Sequence, residues 1–91
     1  MKIQNFKNNK GNRVKNQFII FDDNGNQFFQ SYNSIIVKIS FENGKRKVYL
    51  DAEKWDYSKT TGKYRNQFLR ETKKETEQKI KTGEYILINL N

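Results

Sequence analysis

The chain of 91 residues contains no cysteine, no histidine and no proline. Without cysteine and histidine it lacks the commonest general base, a thiolate nucleophile and the ligands of an ordinary zinc site. Secreted domains of this size usually carry disulfides, so we expect the chain to work in a reducing, cytoplasmic compartment. Tight turns must come from asparagine and glycine instead of proline. The five glycines are scattered, and none belongs to a phosphate-binding loop.

Apolar residues are also scarce. Only 34% of the chain is hydrophobic, and no apolar run approaches the length of a membrane span. Residues 1–7 lack the apolar segment of a signal peptide, so none is expected. The length allows one domain. Because aromatic residues make up 14% of the chain and each ring buries a large area, we expect a small core made mainly of rings.

Acidic residues are few. The chain has ten acidic residues and 18 lysines and arginines, which gives a net charge of +8. This charge favours anionic partners, such as nucleic acid, an acidic protein surface or anionic lipid. A composition rich in asparagine and lysine explains the same charge without any function. The sequence leaves both interpretations open.

An Asn-Gly pair at 24–25 predicts a first β-hairpin, because a type I′ turn needs positive φ at both central residues. It joins a strand at 17–22 to residues 27–30. A two-residue turn would pair Phe21 with Phe28 and place aromatic rings on both faces. This arrangement predicts either a strand covered on both sides or an apolar surface that is free for a partner.

A second Asn-Gly pair, at 43–44, predicts a hairpin between a strand at 34–41 and residues 45–50. Its register places Glu42 opposite Lys45. Residues 31–33 predict a bulge or tight turn before this hairpin. The face predicted to be core carries Ile35, Val37, Ile39, Phe41, Val48 and Leu50.

Two short helices are predicted after the hairpins. Ser58 or Thr60 can cap the first, and a Thr72-x-x-Glu75 capping box begins the second, which ends at Gly83. The apolar segment 84–90 predicts a final strand. One face of the first helix is predicted to carry Tyr57, Thr61, Tyr64 and Phe68.

The predicted fold class is therefore α+β. A small antiparallel sheet, made of the two Asn-Gly hairpins and the C-terminal strand, carries two short helices packed on one face. Residues 17–91 are assigned to this single domain. Residues 1–16 hold five basic residues and no acid, and we interpret them as a basic arm or a short strand.

Basic and aromatic residues are interleaved after the second hairpin, a pattern that suits phosphate tracking and base stacking. Basic residues at helical spacing predict a basic stripe on the first helix. The polar face of the second hairpin adds further charge and an aromatic ring. Scattered glutamates dilute the stripe, and a solvated helix face explains it equally well. The candidate residues for binding nucleic acid or another anionic partner are Lys59, Lys63, Tyr64, Arg65, Arg70, Lys74, Lys38, Lys47 and Tyr49.

Carboxylate chemistry with Mg²⁺ is the remaining route to catalysis. Asp51, Glu53 and Asp56 follow a strand, with Lys54 beside them, but Glu53 and Lys54 are adjacent and would point to opposite sides. Alternatively, these acids begin the helical region and pair with lysines. We predict a protein that is not an enzyme and that uses no metal and no cofactor.

Two blocks of the sequence carry a resemblance. Residues 29–36, with Ser31-Tyr32, and residues 55–61, which read Trp-Asp-Tyr-Ser-Lys-Thr-Thr, together with Phe68-Leu69, resemble a family of small uncharacterised proteins. Phages, plasmids and their Gram-positive or low-GC bacterial hosts encode this family. The resemblance spans roughly residues 16–91 and carries no known activity. It implies a mobile-element context, in which small, cofactor-free proteins often bind host machinery, and some of them inhibit restriction or CRISPR systems.

The leading interpretation is a non-catalytic, basic binding protein of phage or mobile-element type in the cytoplasm of a bacterial host. It would act on a nucleic acid or nucleoprotein surface and inhibit or modulate a host defence system such as CRISPR. The net positive charge argues against mimicry of DNA. One alternative is a protein–protein module that uses the phenylalanine hairpin at 18–29 to bind a host protein. Another is a Mg-dependent, nuclease-like enzyme. No membrane partner is expected.

Overall fold

A single six-stranded sheet organises the protein, whose computed structural model describes all 91 residues. The strands lie side by side in chain order and are antiparallel, except that the last two are parallel. Both helices lie in the connection between these parallel strands, because a parallel pair needs a long crossover. The elements are β1 (Lys2–Lys7), β2 (Arg13–Phe21), β3 (Gln27–Ser31), β4 (Ser34–Glu42), β5 (Lys45–Asp51), α1 (Lys59–Leu69), α2 (Lys73–Thr82) and β6 (Tyr85–Ile88).

The predicted α+β fold is confirmed, with a mostly antiparallel sheet and two short helices. Residues 2–7 form an edge strand that pairs with β2, so the N-terminal segment belongs to the sheet. β2 begins at Arg13 and crosses the boundary expected at residue 16. Phe6 of β1 is buried in the same core as the rest of the sheet.

The core lies between one face of the sheet and α1, and aromatic rings form its centre. The ring of Phe6 packs against Phe29, with centroids 5.5 Å apart, and against Tyr64 of α1, at 5.3 Å. Phe68, one turn after Tyr64, lies 5.9 Å from Phe29. Each ring removes a large apolar area from water, which explains how a chain with few apolar residues forms a stable core.

The second Asn-Gly hairpin has the predicted geometry. Asn43 and Gly44 both have positive φ, at 53° and 77°, and Glu42 pairs with Lys45 as expected. Two members of the predicted core face are placed wrongly, however. Phe41, which lies near the end of β4, is 56% exposed. A bulge shifts the register at Ile36, which is fully buried, and leaves Ile35 half-buried.

The predicted register of the first hairpin is wrong by one residue. Phe21 pairs with Gln27, and Phe28 pairs with Ile20, so the loop has five residues. The carboxylate of Asp22 accepts hydrogen bonds from the backbone N–H groups of Asn24 and Asn26, at 2.9 and 2.8 Å. This side chain organises a wider loop in which Gly25, but not Asn24, has positive φ. The type I′ turn is therefore not formed.

The helix ends match the predicted capping residues. The hydroxyl of Ser58 accepts a hydrogen bond from the Thr61 N–H at the start of α1. Thr72 and Glu75 form the capping box of α2, which ends at Gly83 with φ 84°. Each cap satisfies backbone groups that have no partner within the helix.

The second face of the sheet carries no helix. The strands of the first hairpin are therefore covered by a helix on one side only. Its central row crosses all six strands by direct pairing. We call this surface the open face. Phe18 neighbours the row, and its side chain is half-buried. The central row is Ile3, Ile20, Phe28, Lys38, Tyr49 and Ile86.

Candidate anion-binding surface

Helix α1 is fixed to the sheet by a buried hydrogen bond near its N-terminus. The hydroxyl of Thr61 lies 2.9 Å from that of Ser31, at the end of β3, and both side chains are fully buried. Ser31 and Thr61 come from the two sequence blocks that carry the resemblance. The structure thus joins the two blocks at the point that orients the helix.

The outward side of α1 presents a line of polar and basic side chains, which we call the basic line. It is made of Lys59, Lys63, Gln67 and Arg70, spaced by three or four residues, so that they follow one face of the helix. All four side chains are exposed, and none has an ion pair or hydrogen bond within the chain. At a rise of 1.5 Å per residue, the line is about 16 Å long.

A shallow polar groove of about 710 Å³ lies along the first half of the basic line. None of its lining residues is hydrophobic, and four basic side chains outnumber a single acid. Lys73, which is not among the predicted binding residues, enters the groove from the start of α2. The lining residues are Asp56, Ser58, Lys59, Gly62, Lys63, Arg65, Asn66, Gln67 and Lys73.

The one acid of the polar groove is neutralised from two sides. Asp56 accepts from Arg65 Nη1 at 3.1 Å and from Lys73 Nζ at 2.7 Å. Partial burial raises the pKa of Asp56, but the hydrogen bonds from these two cations outweigh it and hold the pKa below its ordinary value. With its acid paired, the groove keeps a positive potential from Lys59 and Lys63.

Arg65 was predicted to contact an anionic partner, and its position corrects that prediction. Its side chain is only 1% exposed. It donates to the Trp55 carbonyl at 2.7 Å and to Asp56, and its guanidinium lies 5.2 Å from the Trp55 ring. Arg65 therefore fastens the loop before α1 to the helix. It contributes charge beneath the groove but no free hydrogen-bonding surface.

Tyr64 was predicted as a stacking residue, and it is buried as well. Its ring is 7% exposed and packs against Phe6, while Lys63 Nζ covers it at 5.4 Å. The helical periodicity had also placed Tyr64 on the apolar face, and that assignment is the correct one. A core aromatic cannot stack on a base without unfolding the helix from the sheet.

A second groove, of about 460 Å³, continues from the far end of the basic line. Gln67 lines both grooves, and Arg70 stands at the rim of the second. Seven of its eleven lining residues are hydrophobic, and no acid is among them. We call it the apolar groove. The lining residues are Phe6, Ile19, Phe21, Gln27, Ile39, Phe41, Arg46, Gln67, Phe68, Leu69 and Arg70.

A family of unknown function, DUF8033, matches residues 1–84, which include both grooves. The chain belongs to this family. No curated protein and no solved structure matches the chain. The match begins at residue 1 and includes β1, whereas the resemblance noted in the sequence began near residue 16. Because the function of the family is unknown, membership does not indicate what the chain binds.

The remaining candidate residues lie away from the basic line. Lys38, Lys47 and Tyr49 belong to the open face, on the opposite side of the sheet from α1. Lys38 Nζ lies 6.0 Å from the rings of both Phe28 and Tyr49. Lys74 is exposed on α2 but lines neither groove. One binding surface therefore cannot use all nine predicted residues.

Tyr49 is also held by a neighbour on the open face. Its hydroxyl donates to Glu42 Oε2 at 2.9 Å, and Ser40 donates to the same oxygen. The hydrogen bond from Ser40, followed by that from Tyr49, lowers the pKa of Glu42. The hydrogen bond to Glu42 and partial burial raise the pKa of Tyr49. The hydroxyl of Tyr49 is therefore already engaged within the chain.

Two of the three acids proposed for Mg²⁺ chemistry, Asp51 and Asp56, have structural partners. Asp51 is buried and accepts hydrogen bonds from the backbone N–H groups of Leu90, Lys54 and Glu53. Burial raises the pKa of Asp51, but these bonds more than compensate, and the pKa lies below its usual value. No group of three or more acids is placed to hold a metal ion. Neither helix has the length and apolar composition of a membrane span.

Proposed function

We propose that the protein is a non-catalytic binding protein that holds the phosphate backbone of a nucleic acid along the basic line of α1. The observation that supports this most directly is the pairing of charges. Lys59 and Arg70 have no partner within the chain, and Lys63 contacts only the Tyr64 ring, while the one acid beside them is neutralised. Cations that are free and aligned in this way are available to replace the counterions of a phosphate chain.

The polar groove suits a phosphate backbone better than it suits a small apolar ligand. It has no hydrophobic lining and is open along the helix, and the amides of Asn66 and Gln67 add hydrogen-bonding groups. Ligand pockets for small molecules are mostly apolar and concave. A polyanion that follows the helix surface needs only the charges and a shallow track.

The test compares two double variants that remove the same charge. Lys59→Gln/Lys63→Gln removes two cations of the basic line, and Lys10→Gln/Lys81→Gln removes two exposed cations that line neither groove and lie off the open face. Fluorescence anisotropy with labelled single-stranded DNA and RNA at low salt measures the affinity. We expect the first variant to bind at least about tenfold more weakly than the second, because two charge-assisted contacts are lost. Equal affinities would show that only net charge matters and would refute the proposed surface.

A second candidate function is binding of another protein by the open face, and a specific observation favours it. The central row presents four isoleucine or phenylalanine side chains, one tyrosine and one lysine on a face that no helix covers. Contiguous apolar surface of this kind marks interaction sites in soluble proteins. The partner would present an apolar surface, and polar replacement of Phe28 is the change that tests it.

Action on a host defence system such as CRISPR stays a prediction from the resemblance. Under this proposal the protein would occupy the nucleic acid, or the nucleoprotein surface, that the defence complex needs. A phage-restriction assay in cells that express either double variant tests it. Protection that survives the loss of Lys59 and Lys63 would separate defence inhibition from the basic line.

A further inference from the structure

Arg70 has a backbone conformation that its residue type disfavours. It follows the last residue of α1 with φ 58° and ψ 46°, in the left-handed region. Glycine, and less often asparagine, usually occupies this helix-ending position, because other side chains are strained there. The Arg70 side chain makes no hydrogen bond or ion pair that would offset the strain. The left-handed turn lets the backbone N–H groups of Arg70 and Glu71 both donate to the Asn66 carbonyl and so ends α1, and it leaves the Arg70 side chain free beside the apolar groove.

A second arginine faces the same groove from the sheet. Arg46 pairs with Phe41 across β4 and β5, and both line the apolar groove together with Arg70. The side chain of Arg46 also lacks a partner within the chain. Two unpaired arginines and no acid give this apolar groove a positive rim. Its occupant must therefore combine an apolar or aromatic body with negative charge close by.

The groove also offers hydrogen bonds at a polar edge. Gln27 and Gln67 both line it, and neither side-chain amide has a partner within the chain. Among aromatic walls, Phe41 is 56% exposed, and Phe21 and Phe68 are half-buried. Flat rings, free amides and arginines are the groups that bind an unstacked base by its face, its edge and its phosphate.

We propose that the apolar groove takes an unstacked base, so that the ligand of the basic line is a single-stranded nucleic acid. This inference rests on the proposed function and adds the class of ligand. Phosphates follow Lys59, Lys63 and Arg70 along α1, and a base enters the groove at the Arg70 end. A double helix keeps its bases stacked inside, so it can use the basic line alone.

The experiment compares three labelled ligands by fluorescence anisotropy at low salt. These are a single strand with bases, a strand of the same length made of abasic sugar-phosphate units, and a duplex. The wild-type protein should bind the strand with bases about tenfold more tightly than the abasic strand, because stacking contributes that much per base. The duplex should bind through the basic line alone, so its affinity should not depend on the groove.

Two variants assign the preference to the groove. Phe41→Ser should bring the affinity for the strand with bases down to that for the abasic strand and leave the latter unchanged. Arg70→Gly should weaken binding of both strands and leave the urea midpoint of unfolding unchanged or higher, because glycine suits the left-handed position. Tyr32→Ser is the control, because Tyr32 is a similarly exposed ring (47%) outside the groove, and it should change neither affinity.

Every other outcome would overturn the inference, and the results show which part of it fails. Equal affinity for the strand with bases and the abasic strand would refute the base site but keep phosphate binding. Absence of binding to every strand would refute the proposed function as well. A fourth ligand, an acidic peptide that contains phenylalanine, covers the other chemistry that fits the groove. Peptide binding that Phe41→Ser abolishes, without any preference among the strands, would assign the groove to a protein partner.

Discussion

Glu71 joins the three elements that close the helical side of the fold, and its replacement by glutamine is the sharpest stability test. Its side chain is 4% exposed and lies just after α1. It accepts hydrogen bonds from Thr76 at 2.6 Å, Lys79 at 2.9 Å and Tyr85 at 2.6 Å. These contacts tie α2 and β6 to the end of α1.

The magnitude follows from the ionised acceptor. A hydrogen bond to a charged group stabilises a protein by about 1 kcal/mol more than one between neutral groups. Glu71→Gln removes the negative charge from the acceptor of all three bonds, although the amide oxygen can still accept from two donors and the bond from Lys79 keeps the charge of its ammonium group. We therefore expect a loss of about 2 kcal/mol in the free energy of unfolding. This is a large share of the roughly 5–15 kcal/mol typical of a small domain.

The effect should depend on pH with a defined sign. Burial raises the pKa of Glu71, but the hydrogen bonds from Thr76, Tyr85 and Lys79 outweigh it, so the folded pKa lies below its ordinary value. The ionised carboxylate thus stabilises the folded state above the unfolded pKa. This contribution is lost as pH falls through the folded pKa.

Urea unfolding, followed by circular dichroism, measures the difference. Glu77→Gln is the matched control, since Glu77 is exposed on α2 and accepts no hydrogen bond. Glu71→Gln should lower the midpoint well below that of the control at neutral pH, and the gap should shrink as the pH falls below the ordinary pKa of a glutamate and through the lower folded pKa of Glu71. A gap that is absent at neutral pH, or that stays constant on acidification, would refute this account of Glu71.

Two further predictions concern the anchoring of α1 and the side of the sheet that binds. Thr61→Val leaves the buried Ser31 hydroxyl unpaired and should cost about 1–3 kcal/mol in urea unfolding; an unchanged midpoint would mean that this hydrogen bond does not fix the helix. Phe28→Ser changes only the open face, so the affinity for oligonucleotides should stay as in the wild type. A loss as large as that of Lys59→Gln/Lys63→Gln would move the nucleic-acid surface to the open face.

The sequence predicts most reliably those parts of the fold that form from residues close together in the chain. The Asn43-Gly44 hairpin, the Ser58 cap and the capping box of Thr72 form from residues that are close in the chain, and all three are confirmed. The Asn24-Gly25 turn has the same signal, but Asp22 competes for its backbone N–H groups. A turn dipeptide is therefore a reliable guide only when its flanking side chains do not also cap the loop.

The candidate site was harder to predict, because burial depends on distant contacts. Lys59, Lys63 and Arg70 could be found from helical spacing alone. The burial of Arg65 depends on Trp55 and Asp56 in the preceding loop, which no periodicity shows. Arg46 could have been found, since the correctly predicted register of the second hairpin places it opposite Phe41. The exposure of Phe41, by contrast, is seen only in the packed structure.

The salt dependence of single-strand binding tests the central claim most directly. Binding constants of the wild type and of Lys59→Gln/Lys63→Gln are measured by anisotropy over a range of salt concentrations. Each phosphate contact contributes about 0.7 to the slope of log affinity against log salt for a single strand. The account predicts a steep, linear fall for the wild type and a slope shallower by about 1.4 for the variant. Equal slopes, or no binding by the wild type even at the lowest salt, would contradict it.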